Sequence, residues 1–329
     1  MKYKYVVFNN IDNSIWHPDP DGYYAICLED LQKMEDVRVV GVPLQNQCFL
    51  LKLLHRIHVY GFFSRFLKFI PRSIWYPLYF DSSSFEKNEK ICFVIIANLS
   101  AEYLQYLKAH YPNAVFVKFF RDLVWTKQQW YDAYKKVDVI DYWVTYDEEE
   151  ALKYNMHYYH EIESKVELDT DFEIRHDVFF AGRAKNRLNR LVSVYDKLEA
   201  QRVKCFFYIT GVDVKEQIPR EGIVYSNKLL SYREMLLLNT HSRCILEINQ
   251  ENAVGYTSRF LEAVMYNRKL LTDNLNITNS DFYDSRYIQC FKDVDDIDAS
   301  FIVDNNEVDF HYNNEFSPRG FIEYLDSLI

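Results

Sequence analysis

The chain is short of the residues that interrupt regular structure, with eight glycines and eight prolines among 329 residues. That scarcity excludes collagen-like repeats and argues against disordered tracts and long linkers. Cysteine is sparse too: Cys27, Cys48, Cys92, Cys205, Cys244 and Cys290 stand far apart, with no CxxC pair among them. The close ligand spacing of structural zinc is therefore missing. Most of the six lie in apolar runs such as ICFVII and VKCFFYI, so they read as buried thiols of a reducing compartment rather than as disulfides. No apolar run reaches the ~18 uncharged residues expected of a membrane-spanning helix. The opening MKYKYVVFNN lacks the apolar core of a secretory signal and reads as a first strand. Cations are outnumbered, 38 Lys and Arg against 48 Asp and Glu, and the net charge of −10 speaks against nucleic acid as a partner. The expected location is cytoplasmic. No fixed-period repeat or low-complexity tract is present.

What is present fits two cores. Hydrophobic residues make up 49% of the chain, and its length suits two domains of about 150 residues each. Strand-like runs in the first half are 4–9 (KYVVFN), 37–42, 90–97, 114–120 and 142–146, with helical spacing over 24–34, 101–110 and 125–136. In the second half, 177–182 (DVFFAG), 203–210, 222–226, 244–249, 269–274 (KLLTDN) and 301–305 (FIVDN) read as strands. Helices are expected over 187–200, where Leu188, Leu191, Val192, Tyr195 and Leu198 form one stripe, and over 231–242 and 319–328. Strands alternating with helices predict parallel sheets with crossover helices. The charge-rich stretch 161–176 divides the two halves. The expected fold is α/β, two Rossmann-like domains facing a central cleft. They span 1–165 and 166–329, with the last helix packing back on the first domain.

In open α/β sheets ligands bind beyond the carboxyl ends of strands, so the strand-to-helix junctions carry the chemistry. After DVFFAG come Arg183, Lys185, Arg187 and Arg190, crowding a loop and a helix start. Cations there oppose the helix dipole unless an anion such as a diphosphate sits among them. Gly182 would permit a tight turn and close backbone approach. The spacing is neither GxGxxG nor a P-loop, and a solvated basic helix start is the plainer alternative. The second junction is GYTSRFLEAVMYNRKLLTDN, residues 255–274. Thr257 or Ser258 can cap its helix, Arg259 lies in the first turn, and Glu262 shares its face three residues on. An intrahelical surface pair is one reading. The other has Arg259 on a phosphate and Glu262 on a ribose diol.

The segment CILEINQENAVGYTSRFLEAVMYNRKLLTDN resembles the donor-binding segment of bacterial GT-B glycosyltransferases of capsule, exopolysaccharide and O-antigen clusters. There a Gly-x-Thr-x-Arg-x-x-Glu-Ala helix precedes Lys-Leu-(Ile/Leu)-Thr. FFAGRAKNRL and SYREMLLLNTHSRCILEI match companion segments, so the resemblance spans roughly residues 177–305. It implies a nucleotide-sugar donor in the C-terminal domain, with no further cofactor and no bound metal. It implies ribose contact by Glu262 and diphosphate contact by Arg183, Lys185, Arg259 and the backbone around Gly182, Gly255, Tyr256, Thr257 and Ser258. The chain has NAVGY where the broader family pattern is Glu-x-Phe-Gly, so the acid facing the donor sugar is left between Glu247 and Glu251. A non-catalytic nucleotide-sugar-binding partner of a polysaccharide assembly complex, and a pyruvyl-type transferase on the same fold, are the rival expectations.

The first half should hold the acceptor, a glycan or lipid-linked oligosaccharide. A general base needs only a carboxylate or imidazole within reach of the acceptor hydroxyl. Strand-end loops offer Asp122 and His17, with Asp12, Asp19 and Asp21 nearby. DTD at 169–171 lies in the expected linker, and DVDDID at 293–298 lacks the glycine and final glutamate of a calcium loop. One last absence is local: no acid occurs between Asp36 and Asp81, where Lys52, Arg56, Arg65, Lys68 and Arg72 interleave with Leu, Phe and Trp. A basic, aromatic-rich amphipathic stretch over 48–80 fits contact with a membrane surface, here the inner face of the plasma membrane. Cations projecting to water from helices packed on the first sheet are the alternative.

Overall fold

The strand-rich, glycine-poor sequence builds two parallel six-stranded sheets, one in each of two compact units. A computed structural model describes residues 2–10, 13–14, 17–41, 44, 47–60, 62–80, 85, 89–168, 173–250 and 255–329, with 13, 14, 17, 62 and 63 described by backbone alone. The first unit comprises Met1–Ser164 and Ser317–Ile329, the second Lys165–Phe316.

The first unit opens with β1 (Lys4–Asn9), a short antiparallel hairpin β2 (Asn13–Ser14) and β3 (His17–Pro18), and helices α1 (Tyr23–Ile26) and α2 (Glu29–Gln32). Then follow β4 (Val37–Gly41), α3 (Phe49–Val59), β5 (Ile91–Ile95), α4 (Ala101–His110) and β6 (Val115–Phe120). It continues through α5 (Gln128–Val137), β7 (Tyr142–Thr145), α6 (Glu148–Tyr154) and β8 (His157–Tyr158). The sheet order is β4-β1-β5-β6-β7-β8. Strands such as ICFVI are buried at every position because both faces are covered. Alternate residues point to opposite faces. Phe8, Phe93, Ile95 and Phe116 therefore pack with Tyr103, Leu104 and Leu107 of α4, and Tyr5, Val7, Cys92, Val94 and Phe119 pack on the other side.

The second unit runs β9 (His176–Arg183), α7 (Leu188–Ala200), β10 (Cys205–Thr210), β11 (Ile223–Ser226), α8 (Tyr232–Thr240) and β12 (Ser242–Glu247). It ends with α9 (Ser258–Met265), β13 (Lys269–Thr272), β14 (Ile288–Cys290) and α10 (Ala299–Val303), in sheet order β11-β10-β9-β12-β13-β14. The closing α11 (Pro318–Leu328) belongs to the first unit. Ser317 caps α11 and donates to Asp30 at 2.8 Å, proline occupies the first turn, and Phe321, Ile322 and Leu325 join the first core.

Several expected elements differ. Residues 301–305 are not a strand: FIV lies in α10, whose start is capped by Asp298 accepting from the Ser300 amide. The buried Lys269 donates to the Phe301 carbonyl at 2.6 Å and pairs with Asp304, so it closes the other end. A short apolar run fits either state until such caps decide. The helix expected over 24–34 is two short turns, α1 and α2. The six cysteines are free, with Cys48 exposed and Cys27, Cys92, Cys205 and Cys244 buried. Asp12, Asp169, Asp171 and Glu251 lie outside the described residues.

Candidate functional site

Chain order places the site. From β9 the chain passes to β10 and β11 on one side, then returns through β12 to β13 and β14 on the other. β9 and β12 are neighbours, with Val178 opposite Cys244 and Phe179 opposite Ile245. Their carboxyl ends therefore flank the switch in strand order, where open parallel sheets bind ligands. β9 continues to Gly182 and Arg183, while the chain beyond β12 leads to the start of α9.

Two arginine side chains meet there. The Arg259 guanidinium donates to the Ala181 carbonyl, and Arg187 donates to the Ile248 carbonyl and, at 3.1 Å, to the Arg183 carbonyl. Both guanidinium groups lie over the Phe180 ring, Arg259 at 5.0 Å and Arg187 at 5.7 Å from its centroid. Among the described residues, neither these two nor Arg183 forms an ion pair. Burial lowers the pKa of Arg187 to about 10, and the charge of Arg259 adds to the effect. Burial also lowers that of Arg259, against the opposing pull of Glu262 and Glu247. Like charges are thus held close with their donors fixed on backbone, which favours a multiply charged anion beside them.

Gly182 serves this arrangement through space rather than through backbone freedom, correcting the tight-turn expectation. It lies within β9 and its φ is not in the left-handed region. A Cβ there would stand 2.6 Å from Arg259 Nη2 and 3.8 Å from Arg187 Nη2. Gly182→Ala is expected to push the Arg259 guanidinium off the Ala181 carbonyl. Any diphosphate held by the cluster should then bind about tenfold more weakly, a cost of about 1.4 kcal/mol, with the fold retained. Calorimetric titration beside circular dichroism checks this. The left-handed residue of the loop is Lys185 (φ 49°), exposed like Arg183. Arg190 does not join the cluster: it pairs with Asp273 at 2.8 Å and donates to the Lys292 carbonyl at 2.9 Å.

Of the two candidate caps of α9, Thr257 is the N-cap, accepting from the Arg259 amide at 3.2 Å. Its hydroxyl donates to Glu247, whose other oxygen accepts from Thr272 at 2.5 Å. Glu247 is therefore a buried tie between β12, β13 and α9, not an open acid. Ser258 begins the helix, Tyr256 packs on Phe260 with ring centroids 4.8 Å apart, and the Gly255 carbonyl accepts from Asn274 at 3.2 Å.

Glu262 departs from expectation most. It is wholly buried, and its carboxylate accepts from the Tyr232 hydroxyl at 3.1 Å and the Asn239 amide at 2.6 Å. Burial raises its pKa, with Arg259 and Asn239 pulling the other way. It is neither a surface partner of Arg259 nor an acid open to a ribose. Sequence reading missed this because Tyr232 and Asn239 belong to α8, remote in the chain. It also missed Phe180 as the arginines' floor. The one available signal was a polar Asn239 among the leucines of EMLLLNT.

In the first unit Asp122 follows β6, exposed and paired with Lys127 at 3.2 Å. His17 lies in β3 opposite Ser14, with only its backbone described. Neighbouring Arg121 is structural: buried, it pairs with Glu161 and donates to Tyr23 and the Ile162 carbonyl. Lys118 is buried beneath this strand end, donating to the Ile96 carbonyl at 3.0 Å, and burial lowers its pKa to about 7. Among the described residues, no group of three His, Cys, Asp or Glu gathers as a metal site.

No protein-family model matches the sequence, and no curated protein matches it. Solved structures do. An alpha-glucosyltransferase in complex with UDP and a 13-mer DNA containing a HMU base aligns over 98% of this chain and 99% of its own, at 12% identity and TM-score 0.58. A point mutant of S. aureus TarM, in complex with Fondaparinux, alpha-GlcNAc-glycerol and UDP, aligns over 72% of this chain at 12% identity and TM-score 0.51. The chain spans only 55% of TarM's length. At such identity the likeness speaks for the fold, and together with the two six-stranded parallel sheets it gives the chain the GT-B fold of glycosyltransferases.

Proposed function

We propose that the chain is a glycosyltransferase that takes a sugar from a nucleotide-sugar donor to a glycan or lipid-linked glycan of a surface polysaccharide, at the inner face of the plasma membrane. The observation that carries the donor half is the arginine cluster. Arg259 and Arg187 share the Phe180 ring at the carboxyl ends of β9 and β12, without a carboxylate partner among the described residues. Such a cluster suits a diphosphate, whose charge grows as the sugar departs. Arg183 and Lys185 on the exposed loop and the start of α9 around Gly255, Tyr256, Thr257 and Ser258 complete the proposed donor site. With cations and helix amides meeting the charge, the transfer needs no metal. The UDP bound in the two solved relatives is in keeping with this choice of donor.

We assign Glu262 to supporting Arg259 rather than to holding the ribose, because its oxygens are buried and taken by Tyr232 and Asn239. In the first unit Asp122 and His17 are the proposed bases for the acceptor hydroxyl. Asp122 is the better supported, being exposed at a strand end with one lysine to orient it. The test is a thermal-shift and calorimetric screen of the pure protein against nucleotide sugars, free nucleotides and phosphoenolpyruvate. Nucleotide-sugar binding followed by release of the nucleoside diphosphate is expected. Binding without turnover, with or without glycan acceptors, would make the chain a silent partner.

A further inference from the structure

Helix α3 is packed with its polar side inward. In FLLKLLHRIHV the residues it buries are His55 and His58, three apart on one face. His55 Nε2 meets the Tyr79 hydroxyl at 2.7 Å. His58 Nδ1 accepts from Trp75 Nε1 at 2.7 Å, which leaves its Nε2 to donate to the Ile70 carbonyl at 3.0 Å. Burial pushes the pKa of His55 down to about 4. With hydrogen-bonded imidazoles inside, the aliphatic side chains turn out. Phe49, Leu50, Leu54 and Ile57 are between 37% and 69% exposed, and Phe66, Phe69 and Ile74 beyond the helix between 51% and 79%.

Single exposed apolar residues are ordinary, but a helix face of them in a water-facing protein is not. The same surface is cationic. Lys52, Arg56, Arg65, Lys68 and Arg72 interleave with the apolar residues, and no acid occurs between Asp36 and Asp81 in a chain of net charge −10. Among the described residues Arg56, Arg65 and Lys68 form no ion pair. A pocket of about 820 Å³ opens beside the face, with Ser64, Lys68, Arg72 and Ser73 on its wall and Glu102 of α4 as the one facing acid. No helix among the described residues is long and apolar enough to cross a membrane. A second copy of the chain is a poor cover, because isologous pairing would set these cations against themselves. Aliphatic residues to insert and cations around them match an anionic interface.

We propose that α3 and residues 64–74 form an interfacial docking surface for an anionic lipid bilayer. Phe49, Leu50, Leu54, Ile57, Phe66 and Phe69 enter the headgroup boundary. Arg56, Arg65 and Lys68 meet lipid phosphates, and the pocket beside Lys68 and Arg72 has room for a headgroup. The surface rests on the membrane-side location proposed above but not on the donor site, and its test involves no nucleotide, so either can fail without the other.

The test is co-sedimentation of the full chain with phosphatidylcholine vesicles, with and without phosphatidylglycerol. Pelleting is expected with the anionic vesicles and about tenfold weaker with the neutral ones. Leu54→Glu/Ile57→Glu should abolish it, and Arg56→Glu/Lys68→Glu should weaken it about tenfold or more. Both variants should keep the wild-type circular dichroism, since the altered side chains are exposed. Wild-type protein left in the supernatant with anionic vesicles would overturn the proposal, as would equal binding to both vesicle types. So would a dimer in vesicle-free solution that Leu54→Glu/Ile57→Glu dissociates, because the face would then serve a second copy.

Discussion

Arg259→Ala is expected to raise the dissociation constant for nucleoside diphosphates by about thirtyfold to several thousandfold. Removing one partner of a desolvated charge contact costs about 2–5 kcal/mol. Arg259 is where several features converge. Its guanidinium is fixed on the Ala181 carbonyl, lies 5.0 Å above Phe180, and stands where any Cβ on residue 182 would collide with it. It thus reaches the ligand edge pre-ordered, and little side-chain freedom remains to be lost on binding. Arg259→Lys should recover only part of the affinity, because an ammonium cannot keep the Ala181 contact and offer a flat fork to an anion. The fold should survive Arg259→Ala, since removing this charge relieves a repulsion that adds to the burial already lowering the Arg187 pKa. Calorimetric titration of UDP and other nucleoside diphosphates into wild type and both variants reads the effect. Wild-type affinity in the alanine variant would end the donor-site assignment.

Glu262→Ala should cost the second unit about 3–5 kcal/mol of stability, the scale seen when one member of a buried polar or ionic set is removed. It would leave the Asn239 amide and the Tyr232 hydroxyl without their acceptor and deprive buried Arg259 of the stronger of its two acidic influences. Glu262→Gln keeps the shape and an acceptor oxygen, so its cost should be much smaller. The pH dependence separates the two forms. Burial holds the Glu262 pKa above the ordinary carboxylate value, so the folded unit keeps this proton to higher pH than the unfolded chain does. Its contribution is fully present below the ordinary carboxylate range and is lost as pH rises through the raised value. Urea unfolding across that window should show a downward slope in wild type and a flatter one in Glu262→Gln. Binding data complete the test. As a support for Arg259, Glu262→Gln should weaken UDP and pyrophosphate together. Selective loss of UDP would instead reveal direct ribose contact.

The difference between what was legible and what was not follows the range of the interactions. The strands ICFVI and VFFAG announced themselves because a strand buried on both faces is apolar at nearly every position, and the start of α9 because a cap such as Thr257 acts over a few residues. The cationic junction after β9 was visible too, as charges opposing a helix dipole. The roles of individual members were not. Arg183, Arg187 and Arg190 look alike in the sequence, yet Arg190 is drawn to Asp273 while Arg187 lies beside Arg259. FIVDN carries a strand's composition, but Lys269, more than thirty residues upstream, closes it as a helix.

By itself the sequence determined that the chain makes two βα-alternating halves, that its cations gather at the first strand-to-helix junction of the second half, and that one stretch of the first half carries no acid at all. These are properties of period, composition and local capping, which act between near neighbours in the chain. Only the tertiary structure decided that Glu262 is buried against Tyr232 and Asn239, that Gly182 is a space for a guanidinium, and that α3 turns Leu50 and Leu54 outward over two hydrogen-bonded histidines. Each of those depends on a partner brought near by sheet order or helix packing. Whether a carboxylate is open or a leucine is hidden is set by what lies across from it, which spacing along the chain does not contain.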